Sequence, residues 1–271
     1  SIGTLTFGSA PTLNGNLNME LNKSGQTLSA DKLVLSSGTL TYGGTLNVSV
    51  SGDALSGGEV FDLFDAPGFA GSFSTLNLPS LPTQTPPLNW YAGDLTVDGT
   101  LLVNRAPVAS TAQYTRGRGL SLKIPVSELL SSATSDADGH VRSLTGIGTP
   151  SYGSANVSGG YIFYTPSSEQ ADSFSYTISD GHGGTATGTI QVNVAGAATG
   201  TVTISHSGGG QVTLRFYGIP GYQYVIQRSC GDMNSWADLS GALTAASNGL
   251  IEYTDTPGGG CNPAYYRVRQ Y

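Results

Sequence analysis

Between Gly159 and Val194 the chain reads GGYIFYTPSSEQADSFSYTISDGHGGTATGTIQVNV. Within Phe174-Ser175-Tyr176-Thr177-Ile178-Ser179 large apolar side chains alternate with small polar ones. That two-residue period belongs to a strand with one buried face, and it cannot be laid on a helix without scattering the apolar groups. Three strands are expected, Tyr161–Thr165, Ser173–Ser179 and Thr185–Val194, joined by turns of Gly, Pro, Ser and Asp. The stretch predicts a β-sandwich, and it announces no reaction.

The remainder agrees. Charged residues are 11 % of the 271, against about 25 % in an average soluble domain, and Gly, Thr, Ser, Asn, Val and Leu take their place. Val126-Ser127-Glu128-Leu129-Leu130 is the one place where a turn or two of helix is expected. The formal charge of −7 opposes a phosphate backbone, which is bound through clustered Lys and Arg, so nucleic acid is not an expected partner. No apolar run approaches the ~20 residues of a membrane span. The chain begins at Ser1 with neither a signal peptide nor a starting Met, so it is expected to be a processed product or a piece of something longer.

Cys230 and Cys261 are the two cysteines. In an extracellular chain a disulfide is their simplest use, and closing such a loop contributes about 3–4 kcal/mol in the chain-entropy picture. Two free thiols are the alternative. A zinc site on the cysteines is disfavoured, since four ligands are wanted and neither His182 nor His206 stands at ligand spacing from them.

Three all-β modules are expected, at 1–103, 104–195 and 196–271. The first is a succession of short alternating pieces broken by Gly, recurring after roughly ten residues, as in a β-solenoid or small β-roll with a buried Leu and Val ladder. Its phrases run Leu33-Val34-Leu35, Gly44-Thr45-Leu46-Asn47-Val48, Gly58-Glu59-Val60-Phe61-Asp62-Leu63-Phe64, Gly71-Ser72-Phe73-Ser74-Thr75-Leu76-Asn77-Leu78-Pro79 and Asp94-Leu95-Thr96-Val97-Asp98-Gly99-Thr100-Leu101. This order resembles the C-terminal end of bacterial passenger proteins built from autotransporter-associated β-strand repeats. The resemblance implies a cap on an extracellular β-helix, with Ser1 either following further coils or opening a cap that stands alone. The prolines of Ser80–Leu88 predict an exposed excursion before Trp90 and Tyr91 return to the sheet.

The second module opens where Pro107 interrupts a strand. Its phrases are Arg105-Ala106-Pro107-Val108-Ala109, Ser135-Asp136-Ala137-Asp138-Gly139, Tyr164-Thr165-Pro166, Ala171-Asp172-Ser173-Phe174 and Ser179-Asp180-Gly181, with Gly183-Gly184-Thr185-Ala186. They resemble a bacterial cadherin-like tandem repeat domain. The third module, with Phe216-Tyr217-Gly218-Ile219-Pro220-Gly221, Tyr224-Val225-Ile226-Gln227-Arg228-Ser229 and Ala264-Tyr265-Tyr266-Arg267-Val268, is similar to fibronectin- or Ig-like modules that end large secreted bacterial proteins.

Asp136 and Asp138 stand two apart in a turn, so both carboxylates can face one point, as a hard cation such as Ca²⁺ requires. The cadherin-like resemblance implies them as calcium ligands, with Asp180, Asp172 and Asn104 completing the shell. The plainer reading is an Asx turn that satisfies its own backbone, and Arg105 beside the site disfavours a second ion. His140, His182 and His206 read as exposed turn residues, and no nucleophile elbow, zincin pair or Cys-His arrangement is present. Glu59 and Asp62 are expected on the solvent face of their strand rather than as a glycosidase pair. Trp90 and Trp236 are candidate stacking surfaces for a sugar, with core or hairpin packing as the alternative.

The chain is therefore expected to be a non-enzymatic secreted or cell-surface protein, structural or adhesive, as a stalk, adhesin segment or filament subunit that calcium stiffens. Self-association and a surface glycan or protein are the partners this implies. The alternative is a carbohydrate-binding accessory region of a larger polysaccharide-degrading enzyme.

Overall fold

The predicted alternation is carried into space along the strand Asp172–Ser179, where Asp172, Phe174, Tyr176 and Ile178 are buried while Ser173 and Ser175 face out. The computed structural model describes residues 1–117, 120–194, 203–207, 209–219, 221–246, 249–258 and 260–270. The expected border at residue 195, and Tyr271, lie outside them. The described chain is nearly all β, and none of its helices is long and apolar enough to cross a membrane.

Two compact units are present. The first comprises Ser1–Ala109 with Thr134–Thr145 and Thr177–Thr187. The second comprises Ser110–Ala133, Gly146–Tyr176 and the described residues from Gly188 onward. Residues 104–195 thus contribute to both.

In the first unit the chain lays down three parallel ladders. Thr4–Phe7, Lys32–Leu35 and Phe64–Asp65 form one, Thr12–Leu13, Thr39–Tyr42 and Gly68–Gly71 a second, and Asn16–Ser24, Thr45–Gly52 and Thr75–Asn77 a third. Paired residues lie about 30 positions apart, as Thr4 opposite Lys32 and Thr45 opposite Thr75 show. The inward positions fill one core of Leu21, Leu33, Leu35, Leu40, Leu46, Leu63 and Phe64. Tyr42 lies edge-on to Phe64 at 5.0 Å between ring centroids and packs on Phe73 at 4.7 Å.

Outward positions bond along the stack. The Asn77 amide donates to Asn47 Oδ1 at 2.7 Å, and the Asn47 amide donates to Asn18 Oδ1 at 2.9 Å. A corner between ladders requires Gly44, whose φ is +59° and whose added Cβ would stand 2.1 Å from the Gly15 carbonyl oxygen.

Beside the ladders, Thr100–Arg105 pairs antiparallel with both Leu88–Tyr91 and Glu59–Asp62. Here one expectation is corrected. Glu59 and Phe61 share the buried face while Asp62 points out beside Val60, because Glu59 has a cation to meet inside. Lys23 Nζ donates to Glu59 Oε1 at 2.6 Å, and the amides of Ser56 and Gly57 donate to the two carboxylate oxygens at 2.9 and 2.8 Å.

The second unit holds Thr111–Arg116 in parallel register with the strand that ends at Val194, and Leu122–Pro125 and Gly153–Ser158 on either side of Tyr161–Pro166. The expected helical turn is a helix, Val126–Ala133, that buries Leu129 and Ala133. Further on, Gln211–Tyr217 pairs with Thr203–Ser207 and Leu250–Asp255, and Gln223–Cys230 pairs along its length with Ala264–Gln270. Val212, Leu214, Phe216, Tyr224, Ile226 and Ile251 fill the core between these sheets. Cys230 and Cys261 form a disulfide across 31 residues of chain, fastening the start of the last strand to its neighbour.

Candidate metal centre

The turn Ser135-Asp136-Ala137-Asp138-Gly139-His140 is shaped by its first carboxylate. Asp136 Oδ1 accepts from the amides of Asp138 at 2.9 Å and His140 at 3.2 Å, the bonding of an Asx turn. Gly139 closes the turn at φ +84°. The plain reading therefore accounts for one oxygen. The other, Oδ2, is buried in a side chain that is 0 % exposed and has no hydrogen-bond partner among the described residues.

A second turn, Asp180–Gly184, is organised in the same manner. Asp180 Oδ1 accepts from the amides of His182 and Gly184 at 2.7 and 3.0 Å. Asp180 Oδ2 accepts from the Asn104 side-chain amide at 2.7 Å. Asn104 arrives at the end of Thr100–Arg105, is 0 % exposed, and also donates to Asn89 Oδ1 at 3.1 Å. Both its N–H bonds are spent, yet its Oδ1 is buried without a partner among the described residues. Gly184 is a close approach: an added Cβ would lie 2.1 Å from Asp180 Oδ2 and 2.8 Å from the Ala106 Cα.

His140 comes to the same point. One ligand atom from each of Asp136, His140 and Asp180 lies within 4.8 Å of the others. The His140 Nδ1 is buried without a hydrogen-bond partner among the described residues, and at 3.9 Å from Asp136 Oδ1 it is beyond hydrogen-bond reach. Its ring stacks on His182 with centroids 3.9 Å apart. His182 Nδ1 stands 3.1 Å from the Asp180 carbonyl oxygen, which it can approach only as a donor. Tyr91 meets the outer side of His182 edge-on at 4.6 Å.

Of the five residues anticipated as ligands, Asn104, Asp136 and Asp180 are brought together. Asp138 and Asp172 have other work. Asp138 Oδ2 accepts the Arg105 amide at 2.7 Å, and Oδ1 lies 3.8 Å from the Arg105 guanidinium, which itself donates to the carbonyls of Ser56 and Gly57. Asp172, in the second unit, accepts from the amides of Ser151, Tyr152 and Ser173 and from the Tyr164 hydroxyl, all between 2.8 and 3.0 Å. Burial pushes its carboxyl up, and those four donors outweigh burial and hold it below the ordinary range. Burial first and Asp172 second push Tyr164 up to about 12. Asp172 thus fixes a loop and does not belong to the cluster.

His140 is the residue sequence reasoning missed. The available signal was its place four residues after Asp136, where one carboxylate oxygen binds the amides of both positions two and four further on. Trp90 packs on the first unit's core with its indole N–H donating to the Pro79 carbonyl at 2.7 Å, and Trp236 has the Arg267 guanidinium 4.3 Å from its ring centre.

Residues 104–193 match the family model of the bacterial Ig domain. This stretch is similar to an Ig-like domain. The match begins at Asn104 and takes in Asp136, His140 and Asp180, so every residue of the cluster falls within it. No curated protein matches the chain. The matched stretch thus carries, inside the first unit, two carboxylates and an imidazole with ligand atoms within 4.8 Å of one another, and among the described residues Asp136 Oδ2 and His140 Nδ1 are buried without hydrogen-bond partners. An unpaired buried polar atom is costly, and a bound cation would give both a partner.

Proposed function

We propose that the chain is a structural or adhesive segment of an extracellular bacterial protein, stiffened by a divalent cation at Asn104, Asp136 and Asp180. The observation that carries this reading is the unpartnered Asp136 Oδ2, fully buried beside a second carboxylate. An ion there would cross-link three separate stretches of the first unit: the strand end at Asn104, the Asp136 turn and the Asp180 turn. The calcium implied by the cadherin-like resemblance is one candidate, with those three residues as its oxygen donors. The Ig-like match and the Cys230–Cys261 disulfide both suit an oxidising space outside the cell.

In this reading the three parallel ladders are the cap of a β-solenoid. Their role is cohesion, since backbone pairing and the asparagine ladder carry load along the stack. Thr4–Phe7 and Thr12–Leu13 each stand at the end of a ladder, and Leu5 is 59 % exposed, which supports association of that edge with another strand.

Antibody against the chain is expected to label intact, unpermeabilised bacteria or their extracellular material. Labelling seen only after permeabilisation would overturn the reading. Sedimentation with insoluble polysaccharide, lost in Trp90→Ala or Trp236→Ala, would favour a carbohydrate-binding accessory region instead.

A further inference from the structure

We propose that the ion taken by this cluster is a d-block cation of the zinc class, bound through His140, and not calcium. The proposal rests on the reading of the cluster as a cation site and sharpens it.

Calcium takes six to eight oxygen ligands. The cluster falls well short of that number. Asp180 has about four lone-pair sites on its carboxylate, of which two backbone amides and the Asn104 amide occupy three, leaving one on Oδ2. Asp136 offers Oδ2 and Asn104 offers Oδ1. The carboxylates that would enlarge an oxygen shell are engaged elsewhere, Asp138 by Arg105 and Asp172 in the second unit.

The cluster's other donor is a nitrogen. His140 Nδ1 is buried, has no hydrogen-bond partner among the described residues and lies in the group whose ligand atoms fall within 4.8 Å of one another. Imidazole nitrogen is a ligand for zinc, copper, nickel and iron, and is foreign to a calcium shell. Three grouped donors, one nitrogen from His140 and an oxygen each from Asp136 and Asp180, make up three positions of the four-coordinate habit of Zn²⁺ and leave the fourth for water or the neighbouring Asn104 Oδ1. The ring is also held in place. It lies on His182, whose Nδ1 is tied to the Asp180 carbonyl, so the imidazole that would bind is oriented by the same turn that supplies Asp180, a support of the kind metal-bound histidines need. Arg105 adds a fixed positive charge on the Asp138 side, which disfavours a second ion there.

The test uses the 271-residue chain stripped with EDTA and titrated calorimetrically with ZnCl₂ or with CaCl₂ alone. Zn²⁺ is expected to bind one to one, at least tenfold more tightly than Ca²⁺, and to raise the melting temperature. His140→Ala is expected to weaken Zn²⁺ about 100-fold, at the upper end of what disturbing a metal's surroundings costs, read by calorimetry at a temperature where the metal-free variant is folded. His140→Asp supplies an oxygen in place of the nitrogen and is expected to reverse the preference toward Ca²⁺. Co²⁺ bound in place of Zn²⁺ gives a visible spectrum that His140→Ala should abolish. Calcium binding without zinc binding, or zinc affinity unmoved in His140→Ala, overturns the proposal and leaves the cation site standing. Binding of neither ion overturns both.

Discussion

Two residues show how tightly the first unit's interior is fitted. Gly184 has an ordinary φ, so its need for glycine is one of space: a methyl group there would enter the Asp180 carboxylate and the Ala106 backbone. Gly184→Ala is expected to destabilise the first unit by about 1–3 kcal/mol, read as a lower urea midpoint in the metal-free protein. Glu59 is the second. Burial pushes its carboxyl up, but the Lys23 ammonium, the Ser56 and Gly57 amides and the Ser56 hydroxyl outweigh that and bring it down to about 2, from an ordinary 4.5. A carboxyl depressed in the folded state stabilises above its unfolded value, and that stabilisation is lost as pH falls. The loss here spans pH 4.5 to 2 and is about 3 kcal/mol. Glu59→Gln should flatten the dependence of unfolding free energy on pH across that window; an unchanged slope would show that Glu59 does not carry it. Glu59 was illegible because a polar residue's side of a strand depends on a partner far away in sequence, here Lys23. His140 had a local signal in Asp136, and only its meeting with the distant Asp180 turn could not be read.

At the level of the strand, the sequence spoke more clearly. The alternation around Phe174 to Ser179 placed every buried apolar residue of that strand, and Thr185–Val194 begins and ends where the pattern does. In the first hundred residues the recurrence of strands was visible, but its meaning was only partly so. A strand every ten or so residues is a third of the true repeat, because three strands are laid down before the chain returns to the ladder it left. Glycine fractions alone do not reveal that, since Gly44 is required by contact with Gly15 while other glycines, such as Gly25, meet nothing. What could have revealed it is the asparagine at positions 18, 47 and 77, spaced as the coils are. Asn47 both donates and accepts in this ladder. Asn47→Ala should cost about 1–2 kcal/mol, one modest hydrogen bond lost on each side, whereas Asn18→Ala, at the end of the ladder, should cost about half as much. Equal effects in thermal or urea unfolding would argue against a cooperative ladder.

For the molecule as a whole, the two units separate two stabilising devices. The proposed cation site lies in the first, and the Cys230–Cys261 disulfide in the second. The chain also has two tryptophans, and each unit contains one: Trp90, packed on the first unit's core, and Trp236, beneath Arg267 in the second. Single-tryptophan variants can therefore report each unit by fluorescence. In Trp236→Phe, the remaining Trp90 signal is expected to unfold at lower temperature when EDTA removes the ion, by the amount that ion binding adds to the folded state, and to be unmoved by reductant. In Trp90→Phe, the Trp236 signal should respond the other way. Opening a 31-residue disulfide loop is expected to cost about 3–4 kcal/mol in the chain-entropy picture, so dithiothreitol should lower that transition and EDTA should leave it alone. If each treatment moved both signals equally, the chain would unfold as one cooperative body, and a cation in the first unit would then stabilise the last strand of the second as well. Separate responses would mean that the proposed ion and the disulfide guard different parts of the chain, each against its own chemical challenge: loss of metal for one, reduction for the other.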